Sequence, residues 1–207
     1  MSGAGKGLLL AVSAPSGAGK TSLVRALAGA DPDLSVSVSH TTRPRRPTEK
    51  EGINYHFISQ DLFQDMAGKG GFLEHAIVFG HHYGTALENV QRERAAGRDV
   101  ILEIDWQGAD QVRRSAPETI SIFIAPPSVE TLRKRLVARD EDSIETIEHR
   151  LREARAEISH YRDYDYFVVN DDFETTLDDL RAIVRAERLK RLVQSDRRRN
   201  LIDDLLS

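Results

Sequence analysis

Leu8-Leu9-Leu10-Ala11-Val12-Ser13-Ala14-Pro15-Ser16-Gly17-Ala18-Gly19-Lys20-Thr21 is the stretch that decides how this chain is read. Leu8–Ala14 is a short, continuous apolar run, as a parallel strand covered on both faces requires. With Lys6 in front and a small-x-small ending it imitates a signal peptide, but its apolar part is at the short end for one. The residues after it support a buried first strand instead. Ala14–Thr21 matches G-x-x-x-x-G-K-[ST] except that alanine stands first. Gly17 and Gly19 let backbone N–H groups turn inward around phosphate oxygens without Cβ clashes. The helix that follows adds the partial positive charge of its N-terminus. Lys20 has the reach for β- and γ-phosphates, the Thr21 hydroxyl suits Mg²⁺, and Ser22 continues the first turn. Ser13 and Ser16 are further candidate contacts. A glycine turn with a surface lysine is the plainer reading, and the strand–loop–helix setting speaks against it.

The chain has 207 residues, 40% hydrophobic and 30% charged, with no cysteine. That length suits one compact domain. Without cysteine there is no disulfide frame and no thiolate metal site, so a reducing, cytoplasmic setting is expected. Lys and Arg number 29 against 33 Asp and Glu, a net charge of −4. No basic excess marks a nucleic-acid binder, and no apolar stretch is long enough to span a membrane. Anion binding must come from where the arginines sit.

Outward from the first strand, Thr21–Ala30 reads as a helix and Leu34–Ser39 as a strand. Residues 43 to about 84 differ in texture and read as an inserted arm, with strand-like Ile53–Ile58 and Phe72–Phe79 around a helix near Leu62–Ala67. Thr85–Ala96 reads as a helix ended by Gly97. Val100–Asp105 and Ile120–Ala125 restore the buried-strand pattern. Ser128 is positioned as an N-cap, and Asp142–Glu145 has capping-box spacing. Ile144, Ile147, Leu151 and Ile158 share one helical face. Tyr166–Val169 is a last strand, Leu177, Leu180 and Val184 mark a C-terminal helix, and Arg197–Arg199 reads as a solvated helix end. Alternating strands and helices predict a doubly wound α/β fold. His75, His81 and His82 lack metal-site spacing and read as surface or rim residues.

Several ordered blocks resemble the guanylate kinases. They are Ser39-His40-Thr41-Thr42-Arg43-Pro44-Arg45-Arg46, Gly52-Ile53-Asn54-Tyr55-His56-Phe57, Phe72-Leu73-Glu74-His75-Ala76, Tyr83-Gly84-Thr85, Ile104-Asp105-Trp106-Gln107-Gly108, Pro126-Pro127-Ser128 and Val168-Val169-Asn170-Asp171-Asp172. The resemblance implies a P-loop NTPase core (8–39, 85–127 and 161–207), a mixed α/β GMP-binding arm (40–84) and a helical lid (128–160). It also implies Mg²⁺-dependent transfer from ATP to GMP or dGMP, and leaves a homo-oligomer open.

By the same resemblance, Arg43, Arg46, Tyr55 and Tyr83 hold the GMP phosphate, which suits guanidinium forks and phenol hydroxyls. Glu74 and Asp105 read the guanine edge, with Ser39 and Thr85 beside O6 and N7. A carboxylate accepts from guanine N1–H and the 2-amino group, whereas adenine presents it with an acceptor. For Asp105 the competing expectation is a carboxylate that merely caps the next helix. Glu103 stands where the family usually has aspartate, holding the hydrated Mg²⁺ together with Thr21. Arg135, Arg139 and Arg150 match the lid arginines, and Asp140 stands where glycine often follows the second. Asn170 matches the adenine contact. Pro15, Ser16, Ala18 and the rest of Ala14–Ser22 form the ATP cradle. A kinase for a sugar phosphate such as ribose 1,5-bisphosphate and a non-catalytic scaffold domain are the alternatives.

Overall fold

The computed structural model describes residues 6–78, 80–138 and 144–207. Five parallel strands form the central sheet: β1 (Leu9–Ser13), β2 (Leu34–Val36), β7 (Asp99–Glu103), β8 (Ile120–Ala125) and β9 (Tyr166–Val169), in the order β2-β7-β1-β8-β9. Every residue of β1 and of β8 is buried, which is why both read as unbroken apolar runs. Leu10, Val12, Ile122 and Ile124 pack on one face against Leu23, Val24 and Leu27 of α1 (Lys20–Ala30). Leu177, Leu180 and Val184 of α7 (Phe173–Leu189) complete that layer. On the other face Leu9, Ala11, Val100 and Leu102 meet Val90 of α3 (Leu87–Ala95) and Ala109 and Val112 of α4 (Trp106–Ser115). The sheet is therefore covered on both sides, as a doubly wound fold demands.

A second sheet, in the order β4-β3-β6-β5, is built from β3 (His40–Thr41), β4 (His56–Phe57), β5 (Phe72–Val78) and β6 (His81–Ala86). Helix α2 (Gln60–Gly68) packs Phe63 against Phe72, ring on ring at 4.5 Å. Helices α5 (Val129–Val137) and α6 (Ile144–Ile158) share a small core of Leu132, Leu136, Ile147, Leu151 and Ala154. Ser128 caps α5, accepting from the Thr131 N–H. Among the described residues, no helix is long and apolar enough to cross a membrane.

Five expectations change. Thr85 and Ala86 are strand, paired with Glu74 and Phe72, so α3 starts only at Leu87. The strand expected over Leu34–Ser39 ends at Val36, and only His56–Phe57 of Ile53–Ile58 is extended, after a turn with Gly52 at φ +70°. The strand expected to run to Asp105 stops at Glu103, because Asp105 leaves it to cap α4. Arg197 is no solvated helix end. Helix α7 is followed by α8 (Arg191–Arg197) and α9 (Arg199–Leu206), and Arg197 reaches back to Asp99. Phe79 and Asp142, the latter part of the expected capping box, lie outside the described residues.

Asp99 has no exposed surface and collects ligands from distant parts of the chain. Its carboxylate accepts from the Leu8 N–H at 2.7 Å, from Arg188 Nε at 2.6 Å and from Arg197. Arg188 also donates to Asp31 at 2.6 Å, beyond the end of α1. Removing one partner of such a buried cluster strands the others. Asp99→Ala should lower the free energy of unfolding by about 3 to 5 kcal/mol, measured by urea denaturation. A loss below about 1 kcal/mol would show that the cluster is solvated.

Candidate active site

Open parallel sheets bind ligands beyond the carboxyl ends of their strands, where the strand order reverses. Here that place is β1, with β7 on one side and β8 on the other. The turn after β1 holds Gly17 at φ +90° and Gly19 at φ +96°. A Cβ on Gly19 would lie 2.4 Å from Asn170 Nδ2, so the position admits no side chain on two counts. The Ala18 N–H bonds the Pro15 carbonyl at 3.0 Å and closes the turn. Asn170, buried beyond the end of β9, donates from Nδ2 to the Ala18 carbonyl at 2.6 Å. The amide expected to face adenine thus braces the loop.

Lys20 opens α1 and donates from Nζ to the Ile104 carbonyl at 3.0 Å. The Thr21 hydroxyl donates to Glu103 Oε1 at 2.8 Å. This pairs the two residues expected to serve a metal, and the longer glutamate side chain reaches the helix. Arg135 of α5 rests against the same loop, donating from Nη2 to the Asn170 carbonyl at 3.1 Å and from Nη1 to the Ala18 carbonyl at 3.5 Å. Ser16 and Ser22 are exposed, and Ala14 is buried. Arg150 is half-buried on α6, and Arg139 and Asp140 lie outside the described residues.

Across the cleft, Arg43 is held by three acceptors. Nε donates to the Tyr83 hydroxyl at 3.2 Å, Nη1 to the Pro44 carbonyl at 2.7 Å and Nη2 to Glu49 Oε1 at 2.6 Å. Its guanidinium lies 5.6 Å from the Tyr55 ring centroid, and Tyr55 meets Tyr83 edge-on at 5.7 Å. Arg43, Tyr55 and Tyr83 therefore form one cluster. The Arg46 side chain is exposed and outside it, although its N–H bonds Glu49 at 2.8 Å. Burial opposes the Glu49 charge, but the bonds from Arg43 and the Arg46 backbone hold its carboxyl below the usual range. Glu49 was not singled out in the sequence, although it lies three residues beyond Arg46.

Glu74 of β5 is 4% exposed. Thr85 donates its hydroxyl to Oε1 at 2.6 Å, and Oε2 lies 2.6 Å from where a Gly108 Cβ would stand. Burial pushes the Glu74 carboxyl up to about 7; the Thr85 hydrogen bond opposes this and the Asp105 charge adds to it. Asp105 caps α4, accepting from the Gly108 N–H at 2.9 Å and from Gln107 Nε2 at 3.0 Å. The helix-cap expectation for Asp105 is met, and the same carboxylate lies close enough to raise the Glu74 pKa. Ser39 is half-buried, its carbonyl bonded by the His56 N–H at 2.9 Å.

Two features had no sequence signal of their own. Glu157 of α6 is pushed up to about 7 by burial, with Lys20 opposing and Asp105 and Glu153 adding to the shift. A carboxylate of α6 therefore shares the electrostatic field of Lys20 and the glycine loop. Trp106, the first residue of α4, stacks on His160 just beyond α6, centroids 3.9 Å apart and planes at 5°. Of the histidines read as rim residues, His75 is exposed and His82 packs 5.1 Å from the Phe63 ring.

Residues 6–187 match the family model described as guanylate kinase. The guanylate kinase of Nitrosococcus oceani is 56% identical over 200 residues, 97% of this chain and 98% of its own length. That of Alkalilimnicola ehrlichii is 59% identical over 182 residues, 88% of this chain and 90% of its own. The crystal structure of guanylate kinase from Anaplasma phagocytophilum matches with a TM-score of 0.75 at 38% identity, covering 91% of this chain and 89% of that one. Kinship of this extent joins a sheet whose strand ends carry a phosphate-binding turn, and on these grounds the chain belongs to the guanylate kinase family of nucleoside monophosphate kinases.

Proposed function

We infer that the chain moves the γ-phosphoryl group of ATP directly onto the phosphate of GMP, giving ADP and GDP. The observation that carries this reading is the buried Glu74 carboxylate, set by Thr85 and near enough for the Lys20 charge to act on it. A carboxylate there accepts guanine N1–H and the 2-amino group, and a site built on such bonds discriminates by up to ~10⁴-fold against a base lacking them. Ser39 and Thr85 lie beside O6 and N7, and Asp105 shares the base edge. dGMP fits the same contacts.

No general base is required, because the attacking phosphate oxygen is already ionised at neutral pH. The protein's work is alignment and charge neutralisation. Lys20 leaves the Ile104 carbonyl for the β- and γ-phosphates. Arg43 exchanges Glu49 for the GMP phosphate, with Tyr55 and Tyr83 donating beside it and Arg46 turning in from solvent. Arg135 leaves the Ala18 carbonyl for the transferring group, joined by Arg150 and Arg139. Closure of arm and lid excludes water and suppresses hydrolysis. The Thr21 hydroxyl and Glu103 carboxylate, 2.8 Å apart, are hard oxygen donors of the kind Mg²⁺ selects. Bound there, the ion would neutralise charge on the β- and γ-phosphates.

A coupled ADP-release assay with GMP, dGMP, AMP, CMP and ribose 1,5-bisphosphate tests the reading. Turnover confined to GMP and dGMP is expected, and equal turnover with AMP would sink it. Lys20→Ala should abolish turnover while calorimetry still records GMP binding. Unchanged turnover would remove Lys20 from the mechanism.

Glu74 also predicts a pH dependence. Below about 7 the free chain holds the Glu74 proton, which GMP binding must expel. KM for GMP should therefore rise towards about tenfold per pH unit below that point, while KM for ATP stays level. Because the pKa is raised on folding from an ordinary 4.5 to about 7, the ligand-free fold loses stability as pH rises through that window. Glu74→Gln should thus stabilise the free chain at pH 8 by up to about 3 kcal/mol while eroding preference for GMP. A flat pH profile for KM would contradict the assignment.

A further inference from the structure

We propose that Gln111 is a specificity-determining positioning residue, whose carboxamide clamps the main chain of His75 and so sets the neighbouring Glu74 for the purine base. The proposal rests on the reading of Glu74 given above.

Strand β5 is the outer strand of the second sheet, so among the described residues its far side has no ladder partner. At His75 that side is filled by a side chain. The His75 N–H donates to Gln111 Oε1 at 3.1 Å, and Gln111 Nε2 donates to the His75 carbonyl at 2.8 Å. A carboxamide presents one donor and one acceptor in a plane, as a peptide unit does, so Gln111 serves as a one-residue strand added to the edge.

The position of this clamp matters. The β5–β6 register shifts between Phe72 and Glu74, so the ladder is irregular immediately before the base-reading residue. Such irregularities loosen pairing and re-aim side chains. Glu74 is thus loosened on one flank by an interrupted ladder and held on the other through His75, which Gln111 clamps. The same helix supplies a second contact three residues earlier. Gly108, facing as Gln111 does, leaves the space that Glu74 Oε2 occupies. Helix α4 itself is fixed by the Asp105 cap and by Ala109 and Val112 in the core. The path therefore runs from the rigid core through two positions on one helix face to the Glu74 carboxylate. A generic edge cap could sit anywhere along β5; this one is adjacent to the residue whose placement decides the acceptor.

Steady-state kinetics of the full chain with GMP, AMP and ATP varied separately test the proposal, using Gln111→Leu and Gln111→Glu. Leucine keeps much of the bulk and offers neither hydrogen bond. Glutamate keeps the acceptor and sets an oxygen against the His75 carbonyl. Both should raise KM for GMP about tenfold and lower GMP-over-AMP preference equally, with kcat and KM for ATP within about twofold. In a Glu74→Gln background the same changes should have little further effect on preference. Unchanged KM for GMP in either folded variant, or KM for GMP and ATP rising together, overturns the clamp. Preference eroded by Glu74→Gln but untouched by Gln111→Leu also overturns it, leaving the base-reading assignment standing. Preference intact in Glu74→Gln overturns both.

Discussion

The parallel register of β1 and β7 is the constraint from which the site follows. It sets Val12 opposite Glu103, so β1 turns into its glycine loop just where β7 releases a carboxylate and a free carbonyl. Thr21 and Lys20 find their partners there, on Glu103 and Ile104. A slip of one residue would send Glu103 to the opposite face and leave the lysine without that carbonyl. The apolar burial that holds β1 between two parallel neighbours therefore fixes the polar geometry at its end.

The site holds its cations on internal acceptors. Lys20 and Arg135 rest on backbone carbonyls, and Arg43 is the exception, bound to the Glu49 carboxylate. On the proposed mechanism a neutral carbonyl is a weak rival to a phosphate, so Lys20 and Arg135 are oriented at small cost. Glu49 is a stronger rival and disciplines Arg43 more tightly. Glu74 carries the opposite tension, since burial disfavours its charge, and on the proposed reading the purine base would supply the missing donors. A fold that tolerates such a residue trades stability for recognition.

Much of this was legible in the residues, for reasons that differ by element. Strands covered on both faces announce themselves as apolar runs, and the glycine–lysine turn combines backbone and chemical requirements in a few positions. The Thr85–Ala86 boundary was lost because local helix pattern competed with pairing to β5. Arg197 was misread because its partner, Asp99, lies far away in sequence, and a run of arginines looks the same paired or solvated. Asp105 meets the competing helix-cap expectation, and its charge also reaches Glu74. Glu49, Glu157 and Gln111 were invisible for a common reason. Each is an ordinary surface-type residue until the tertiary fold gives it a partner or removes its water.

Strand β7 begins at Asp99, which ties Leu8, Arg188 and Arg197 to the sheet, and finishes at Glu103, beside the glycine loop. Four residue steps separate them, about 13 Å along an extended strand. That exceeds the ~10 Å beyond which substitutions with no shared partner usually act additively. The two acids thus mark opposite poles of one short beam, a foundation and a workbench. Sequence drift at one pole has little means of disturbing the other, so durability and turnover can evolve as separate traits on the same five residues.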